Sequence, residues 1–174
     1  MEWYWIVLGV ICFFGFMAFT GAPYVPSKPK DVKRALTELY PLTARDLLVD
    51  IGAGDGLILR MASKLGARAV GYEINPAIAM LATLLSLGDE RVVVYMRNFW
   101  KATLPKDTTV VYTFADSRDI AKMYNKVQEA ANQLGRKLAF ISYGFEVPSM
   151  KPTKTVGAHH LYIVKPLHSS DGNV

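Results

Sequence analysis

The chain of 174 residues has a single cysteine, Cys12, and no charged side chain between Trp3 and Ala22. One cysteine excludes a disulfide within the chain and any zinc site built on cysteine pairs. It also agrees with a reducing compartment. His159 and His160 lack a third ligand at suitable spacing, so they read as surface or core residues rather than a metal site. Only Met1 and Glu2 precede the apolar run, and the missing basic leader argues against a cleaved signal peptide. No internal repeat or low-complexity tract divides the chain, and its length suits one domain with a buried core.

What is present begins with that run. Hydrophobic residues make up 51% of the chain and the mean hydropathy is +0.17, with the excess gathered at the N-terminus. A helix of roughly 20 apolar residues crosses a hydrocarbon core of about 30 Å, so residues 3–22 are just long enough to span a membrane. Trp3, Tyr4 and Trp5 stand at the outer end, where amphipathic rings favour the lipid–water boundary. A signal peptide and a buried core helix are the competing readings. Lys28, Lys30, Lys33 and Arg34 follow the run and no base precedes it, so the positive-inside rule leaves the N-terminus outside and the following domain in the cytoplasm. The net charge of +5 and pI near 9.3 fit a domain held against an anionic leaflet. A solvated basic surface or a nucleic-acid partner would give the same total.

Beyond the run, Pro23, Pro26 and Pro29 favour an extended linker. The expected organisation is an anchor at 1–22, a linker at 23–30, a catalytic domain at 31–168 and a flexible tail at 169–174. A helix is expected from about Asp31 to near Pro41, with Val32, Ala35, Leu36 and Leu39 on one face. Strands are then expected at "DLLVDI", "RAVGYEI", "RVVVYM", "TTVVYTF", "KLAFISYGF" and "HHLYIVK". Helices are expected between several of them, one opening at Pro76 and closing at Gly88 and another closing at Gly135. That alternation predicts an α/β fold with a parallel sheet covered by helices on both faces.

The stretch "DIGAGDG" directly follows the first strand. Gly52, Gly54 and Gly56 let the main chain approach a ligand, while the new helix turns free N–H groups toward the same place. A plain strand-to-helix turn would not require three alternate glycines. The dinucleotide fingerprint G-x-G-x-x-G fails, because its third glycine would fall at Leu57 counting from Gly52 and at Leu59 counting from Gly54. Glu73 closes the second strand, where a carboxylate accepts from both hydroxyls of a ribose. Asn98, Phe99 and Trp100 follow the third strand, an amide for an adenine edge and aromatics for its face. A core role for Phe99 or Trp100 is the equal alternative.

Asp50, Gly52, Ala53, Gly54 and Gly56 resemble the first motif of class I S-adenosylmethionine-dependent methyltransferases, which implies a Rossmann-like sheet and S-adenosylmethionine as cofactor. "PYVPS" at 23–27, "DIGAGDG" at 50–56, "GYEINP" at 71–76 and "NFW" at 98–100, set behind a hydrophobic span, together resemble the small membrane-anchored lysine methyltransferases related to the enzyme that methylates the ATP synthase c-subunit. The resemblance implies cofactor contacts from Asp50, Gly52, Ala53, Gly54, Gly56, Glu73, Asn75, Asn98, Phe99 and Trp100. That family usually has an acid where this chain has Asn98, whose amide oxygen still accepts but carries no charge. It further implies that the segment with Tyr24, Pro26 and Ser27 closes over the cofactor, linker chemistry being the equal alternative.

A lysine acceptor must lose its proton before it attacks, and a partly apolar channel lowers its pKa. Phe114, Asp116 and Ser117 near the fourth strand, and Tyr143, Phe145 and Glu146 near the fifth, are the residues within reach. Tyr24 and Asp116 are the catalytic candidates, although a helix N-cap explains Asp116 or Ser117 equally well. The sequence "TFADS" lacks the Asn/Asp-Pro-Pro-aromatic motif of adenine amino methyltransferases, which disfavours nucleic acid as acceptor. The resemblance implies lysine as the acceptor and the apolar span a place near the bilayer, so a protein-lysine methyltransferase acting on a membrane-associated protein is the leading expectation. A lipid or small-molecule methyltransferase and a non-catalytic anchored adaptor are the alternatives.

Overall fold

The computed structural model describes residues 3–9, 28–114 and 117–167. Residues 3–9 are helical with exposed side chains. Among the described residues no helix is long and apolar enough to cross a membrane. Most of the expected anchor, residues 23–27 of the expected linker and the tail lie outside the described residues.

The domain opens with α1 (Pro29–Arg34), which runs directly into a π-helical turn at Ala35–Leu39. The helix starts two residues before Asp31, inside the expected linker, because Pro29 occupies a first-turn position where its missing N–H costs nothing. Val32, Ala35, Leu36 and Leu39 are buried, as their spacing requires. There follow β1 (Leu47–Ile51), α2 (Leu57–Lys64), β2 (Arg68–Glu73), α3 (Pro76–Leu85), β3 (Val92–Met96), a 3-10 turn at Phe99–Lys101, β4 (Val110–Phe114), α4 (Ile120–Leu134), β5 (Leu138–Tyr143), β6 (Lys154–Val156) and β7 (His159–Val164).

The seven strands form one sheet in the order β3-β2-β1-β4-β5-β7-β6. Strands β1 to β5 pair in parallel, with Val49 level with Val70 on one side and Val111 on the other. β1 is buried along its whole length, which is why it reads as an unbroken apolar run apart from Asp50. Alternate residues of β1 feed two cores. Leu47, Val49 and Ile51 join α4 through Ile120, Val127 and Ala131, while Leu48 joins α1, the π-helical turn and α2 through Val32, Leu36, Leu59 and Ala62.

The expectation of a wholly parallel sheet needs correction. β7 runs antiparallel to both β5 and β6, and β6 did not figure among the expected strands. A parallel neighbour needs a crossover of a dozen or more residues, usually helical. The connection after β5 contains Pro148 and Pro152, and β7 instead returns from β6 through a tight turn at Gly157, whose φ is +61°.

Gly71 on β2 shows how closely α2 and the loop before it press on the sheet. A Cβ there would lie 2.5 Å from Leu59 Cδ1 and 2.6 Å from the Cβ of Ala53. Gly71→Ala is therefore expected to destabilise the chain by about 1–3 kcal/mol, the usual range for overpacking. Thermal unfolding checks this, and a midpoint equal to wild type would refute the close approach.

Candidate active site

Strand order along the sheet reverses between β1 and β4, and in an open α/β sheet ligands bind beyond the carboxyl ends of the strands at that point. The glycine stretch stands there. Gly52, Gly54 and Gly56 all take positive φ (75°, 55° and 78°), a conformation in which a side chain is strained. The N–H groups of Gly52 and Ala53 both donate to the Tyr72 carbonyl, at 2.9 and 3.0 Å, tying the loop to β2. A Cβ on Gly52 would meet nothing within 4 Å, so the main chain borders open space.

Glu73 fixes the other side of this loop. One carboxylate oxygen accepts from the Gly54 N–H at 3.0 Å and the other from the Asn75 N–H at 2.8 Å. A carboxylate offers about four lone-pair positions, so acceptor capacity remains for a pair of hydroxyls. Glu73 is thus both a strut of the loop and a candidate ligand. Asp55, not among the expected site residues, adds a second strut: its side chain accepts from the Leu57 N–H at 3.0 Å and forms an ion pair with Arg60. Its signal was an acid directly before a helix start, where such a residue satisfies a free N–H.

Asp50 is 1% exposed, and neither of its oxygens accepts a hydrogen bond from any described residue. Burial, aided by the negative charges of Glu73 and Asp55, pushes its carboxyl well above the usual carboxylate range. An unpaired buried carboxylate is costly, and a bound cation is the natural compensation. The sign for stability follows. A raised folded pKa means that the unliganded fold is most stable with Asp50 protonated, and loses stability as pH rises above the unfolded value near 4. Asp50→Asn is expected to remove that loss, so its unfolding midpoint should exceed wild type at pH 8 and approach it at pH 4. Equal midpoints at both pH values would refute the assignment.

The remaining expected residues divide. Asn75 is buried and caps α3, its side chain accepting from Ala77 and Ile78 N–H at 3.0 and 3.3 Å. Asn98 likewise accepts from the Trp100 N–H at 2.9 Å, opening the 3-10 turn. Phe99 is 5% exposed and packs edge-on against Tyr72 at 5.7 Å, a core position. Trp100 is 41% exposed and remains free to meet a ligand ring. Tyr24 and Asp116 lie outside the described residues, as do Pro26 and Ser27.

Across the switch point, an aromatic group lines the ends of β4 and β5. Phe114, 39% exposed, lies 5.0 Å from the Tyr143 ring, which in turn lies 4.5 Å from His159. His159 is buried, its Nε2 2.9 Å from the Tyr112 hydroxyl. Burial lowers its pKa to about 4, so it stays neutral at physiological pH. Because that folded value is depressed, its contribution to stability is complete above the unfolded value near 6.5 and is lost as pH falls toward 4, by up to about 1.4 kcal/mol per unit. Replacing His159 by phenylalanine should flatten the stability profile between those limits, and a profile of unchanged slope would refute this. Among the described residues no cluster of His, Cys, Asp and Glu could hold a metal ion.

Comparison with known proteins agrees with this geometry. No family model matches the chain. It is 31% identical to the ATP synthase c-subunit lysine N-methyltransferase of Xenopus laevis over 120 residues, which cover 67% of this chain and 52% of that protein. It is 30% identical to a protein-lysine N-methyltransferase of Saccharolobus islandicus over 77% of this chain and 83% of that one. The chain belongs to the protein-lysine N-methyltransferase family. It spans about half the length of the vertebrate relatives it matches. The fold is shared with an RNA methyltransferase from Salinibacter ruber, solved in complex with S-adenosyl-L-homocysteine, at a TM-score of 0.70 and 24% identity over 84% of this chain and 98% of that one.

Proposed function

We propose that this chain is an S-adenosylmethionine-dependent protein-lysine N-methyltransferase whose acceptor is a membrane-associated protein. The carrying observation is the buried, unpartnered Asp50 carboxyl beside a glycine loop held by Glu73 at the switch point. The residues fit the cofactor: Asp50 offers a negative charge to its ammonium, the Gly52 backbone leaves room for its amino-acid part, and Glu73 retains lone pairs for its ribose hydroxyls. Trp100 is the exposed aromatic nearest in sequence to an adenine position. When bound, the cofactor supplies a methyl group on a sulfonium. The chain's own task is then to aim a lysine amine, exclude water and disfavour the charged ammonium. Phe114 and Tyr143 provide apolar surface for that, and an amine brought against it loses its proton more readily than in water.

The relatives support lysine as acceptor. The charge-free run at 3–22, with Lys28, Lys30, Lys33 and Arg34 behind it, supports a single-pass anchor with the N-terminus outside and the catalytic domain in the cytoplasm. Incubating membranes with methyl-labelled S-adenosylmethionine tests the assignment, with methyl-lysine expected after protein hydrolysis. Label extracted with lipid and absent from lysine would replace it with a lipid methyltransferase. Cofactor binding without transfer would replace it with an adaptor.

A further inference from the structure

Helix α3 is built inside out. Toward the sheet it buries only Ala79 and Ala82, while Met80, Leu81, Leu84 and Leu85 are 63%, 46%, 55% and 50% exposed, and Leu87 in the following turn is 74% exposed. An ordinary surface helix does the reverse, placing its large apolar residues on the core. No charged residue occurs from Ile74 to Gly88. The exposed Thr83 turns its hydroxyl back onto the Ala79 carbonyl at 2.9 Å, so little polarity remains on the outer side. Contiguous exposed apolar surface of this kind marks a protein or membrane contact.

The layer around α3 selects between those partners. β1, β2 and β3 step in one direction along the sheet, so their right-handed crossovers place α2 and α3 on the same face. A Cβ on Gly56, at the start of α2, would lie 3.3 Å from Ala82 of α3. α1 shares the buried core of α2 on that face. The exposed bases of this layer are Lys28, Lys30, Lys33, Arg34 and Lys64, against the half-buried Asp31 of α1 and one exposed acid, Glu38, which is paired with Arg34 at 3.3 Å. Asp89 and Glu90 lie beyond the far end of α3, where Asp89 accepts from the Ser63 hydroxyl. An uncharged apolar helix face in a layer whose exposed charges are mainly lysine and arginine suits an anionic lipid surface, which takes up the apolar side chains and attracts the bases. The apolar stretch 3–22 precedes α1 in the chain, and α1 belongs to this same face. The chain from Ala22 to Lys28 reaches at most about 20 Å, while two helix-to-helix spacings of about 8–10 Å separate α1 from α3, so one bilayer surface can meet both.

We infer that the outer face of α3, Met80, Leu81, Leu84, Leu85 and Leu87, docks on an anionic lipid surface and lays the α1–α2–α3 face of the domain against the bilayer. The inference rests on the membrane placement proposed above. α3 begins at the end of the sheet that carries the glycine loop, so docking fixes the height and tilt of the site over the membrane as well as its distance.

The test uses the full chain with Cys12→Ser, carrying a nitroxide at Leu84→Cys or, as a control on the opposite face, at Lys122→Cys. In vesicles of phosphatidylcholine and phosphatidylglycerol, position 84 should collide several-fold more often with oxygen than with a water-soluble nickel chelate, and position 122 should show the reverse. Equal access of the chelate to both positions overturns the inference. So does spin–spin broadening at position 84, which assigns the face to a second copy. Low access of oxygen and chelate alike at position 84 in vesicles, without broadening, also overturns it, because protein of the same chain rather than lipid then covers the face. Alkaline carbonate washing reads the anchor separately: a chain shielded at position 84 yet released by the wash supports docking and sinks only the anchor. Methyl-lysine yield reads catalysis independently of both.

Discussion

Replacing Glu73 by alanine should weaken S-adenosylmethionine binding about a hundredfold, measured by isothermal titration. Hydrogen bonds to a charged group are worth about 1.5–3 kcal/mol, and each 1.4 kcal/mol is tenfold in affinity, so losing the ribose contacts alone accounts for about tenfold to a hundredfold. The structure places the effect at the upper end, because the same carboxylate holds the Gly54 and Asn75 N–H groups. Without it the glycine loop keeps only its bonds to the Tyr72 carbonyl on β2 and two buried donors lose the carboxylate, so the ligand must also order the loop. Glu73→Gln separates the two roles. Its amide oxygen still accepts one backbone N–H, while the NH₂ faces the other donor, so its loss should lie between wild type and alanine. Unchanged affinity in Glu73→Ala would show that the cofactor sits elsewhere.

The double role of Glu73 also shows where reading the sequence succeeds and where it stops. Its position at a strand end, after a glycine-rich turn, follows from periodicity and turn chemistry, which are local properties. Its bonds to Gly54 and Asn75 depend on how β2 lies beside β1, which is a matter of tertiary register. The same division explains Asn75 and Asn98. Each stands where a ligand contact was expected, and each has its side chain engaged as a cap, because an asparagine before a helical turn satisfies local N–H groups. For Phe99 and Trp100, adjacent aromatics carry no record of which ring turns inward. The structure buries Phe99 against Tyr72 and leaves Trp100 outside.

Strands β1 to β5 were legible because each is an apolar run between helical repeats. β6 was not, since "KTV" is three residues long with Lys154 and Thr155 both exposed, too short for alternation to register. Its existence is decided by β7, which offers a free edge for it to pair with. The outward face of α3 is the opposite case. "PAIAMLATLLSLG" reads correctly as a helix, but a helix apolar on every side gives no indication of which side meets the sheet. Steric room decides, and the small Ala79 and Ala82 turn inward where α3 crowds β2 and β3.

Deleting residues 1–22 should leave cofactor affinity within about twofold of wild type while lowering methylation of a membrane-embedded acceptor by about a hundredfold or more. The proposed cofactor contacts lie between Asp50 and Trp100, and among the described residues the cores that support them are formed from Val32 onward, which is the ground for expecting cofactor binding to survive the deletion. Turnover of a membrane acceptor depends instead on encounter. Tethering replaces bulk concentration with an effective one set by the linker, a gain of about 10²–10⁴ without any new contact. Helix α1 begins at Pro29, so the chain from Ala22 to Lys28 spans at most about 20 Å when extended, and a tether of that length would confine the site to a thin layer above the surface. An acceptor peptide free in solution gains nothing from that confinement, and its turnover by the deleted chain should match wild type. A flexible insertion after residue 22 in the full chain should reduce membrane methylation gradually, as effective concentration falls with linker length. Equal loss on the free peptide and on membranes would place the N-terminal segment in the active site, consistent with closure by the stretch that holds Tyr24. No loss on either would show that the segment serves neither encounter nor catalysis.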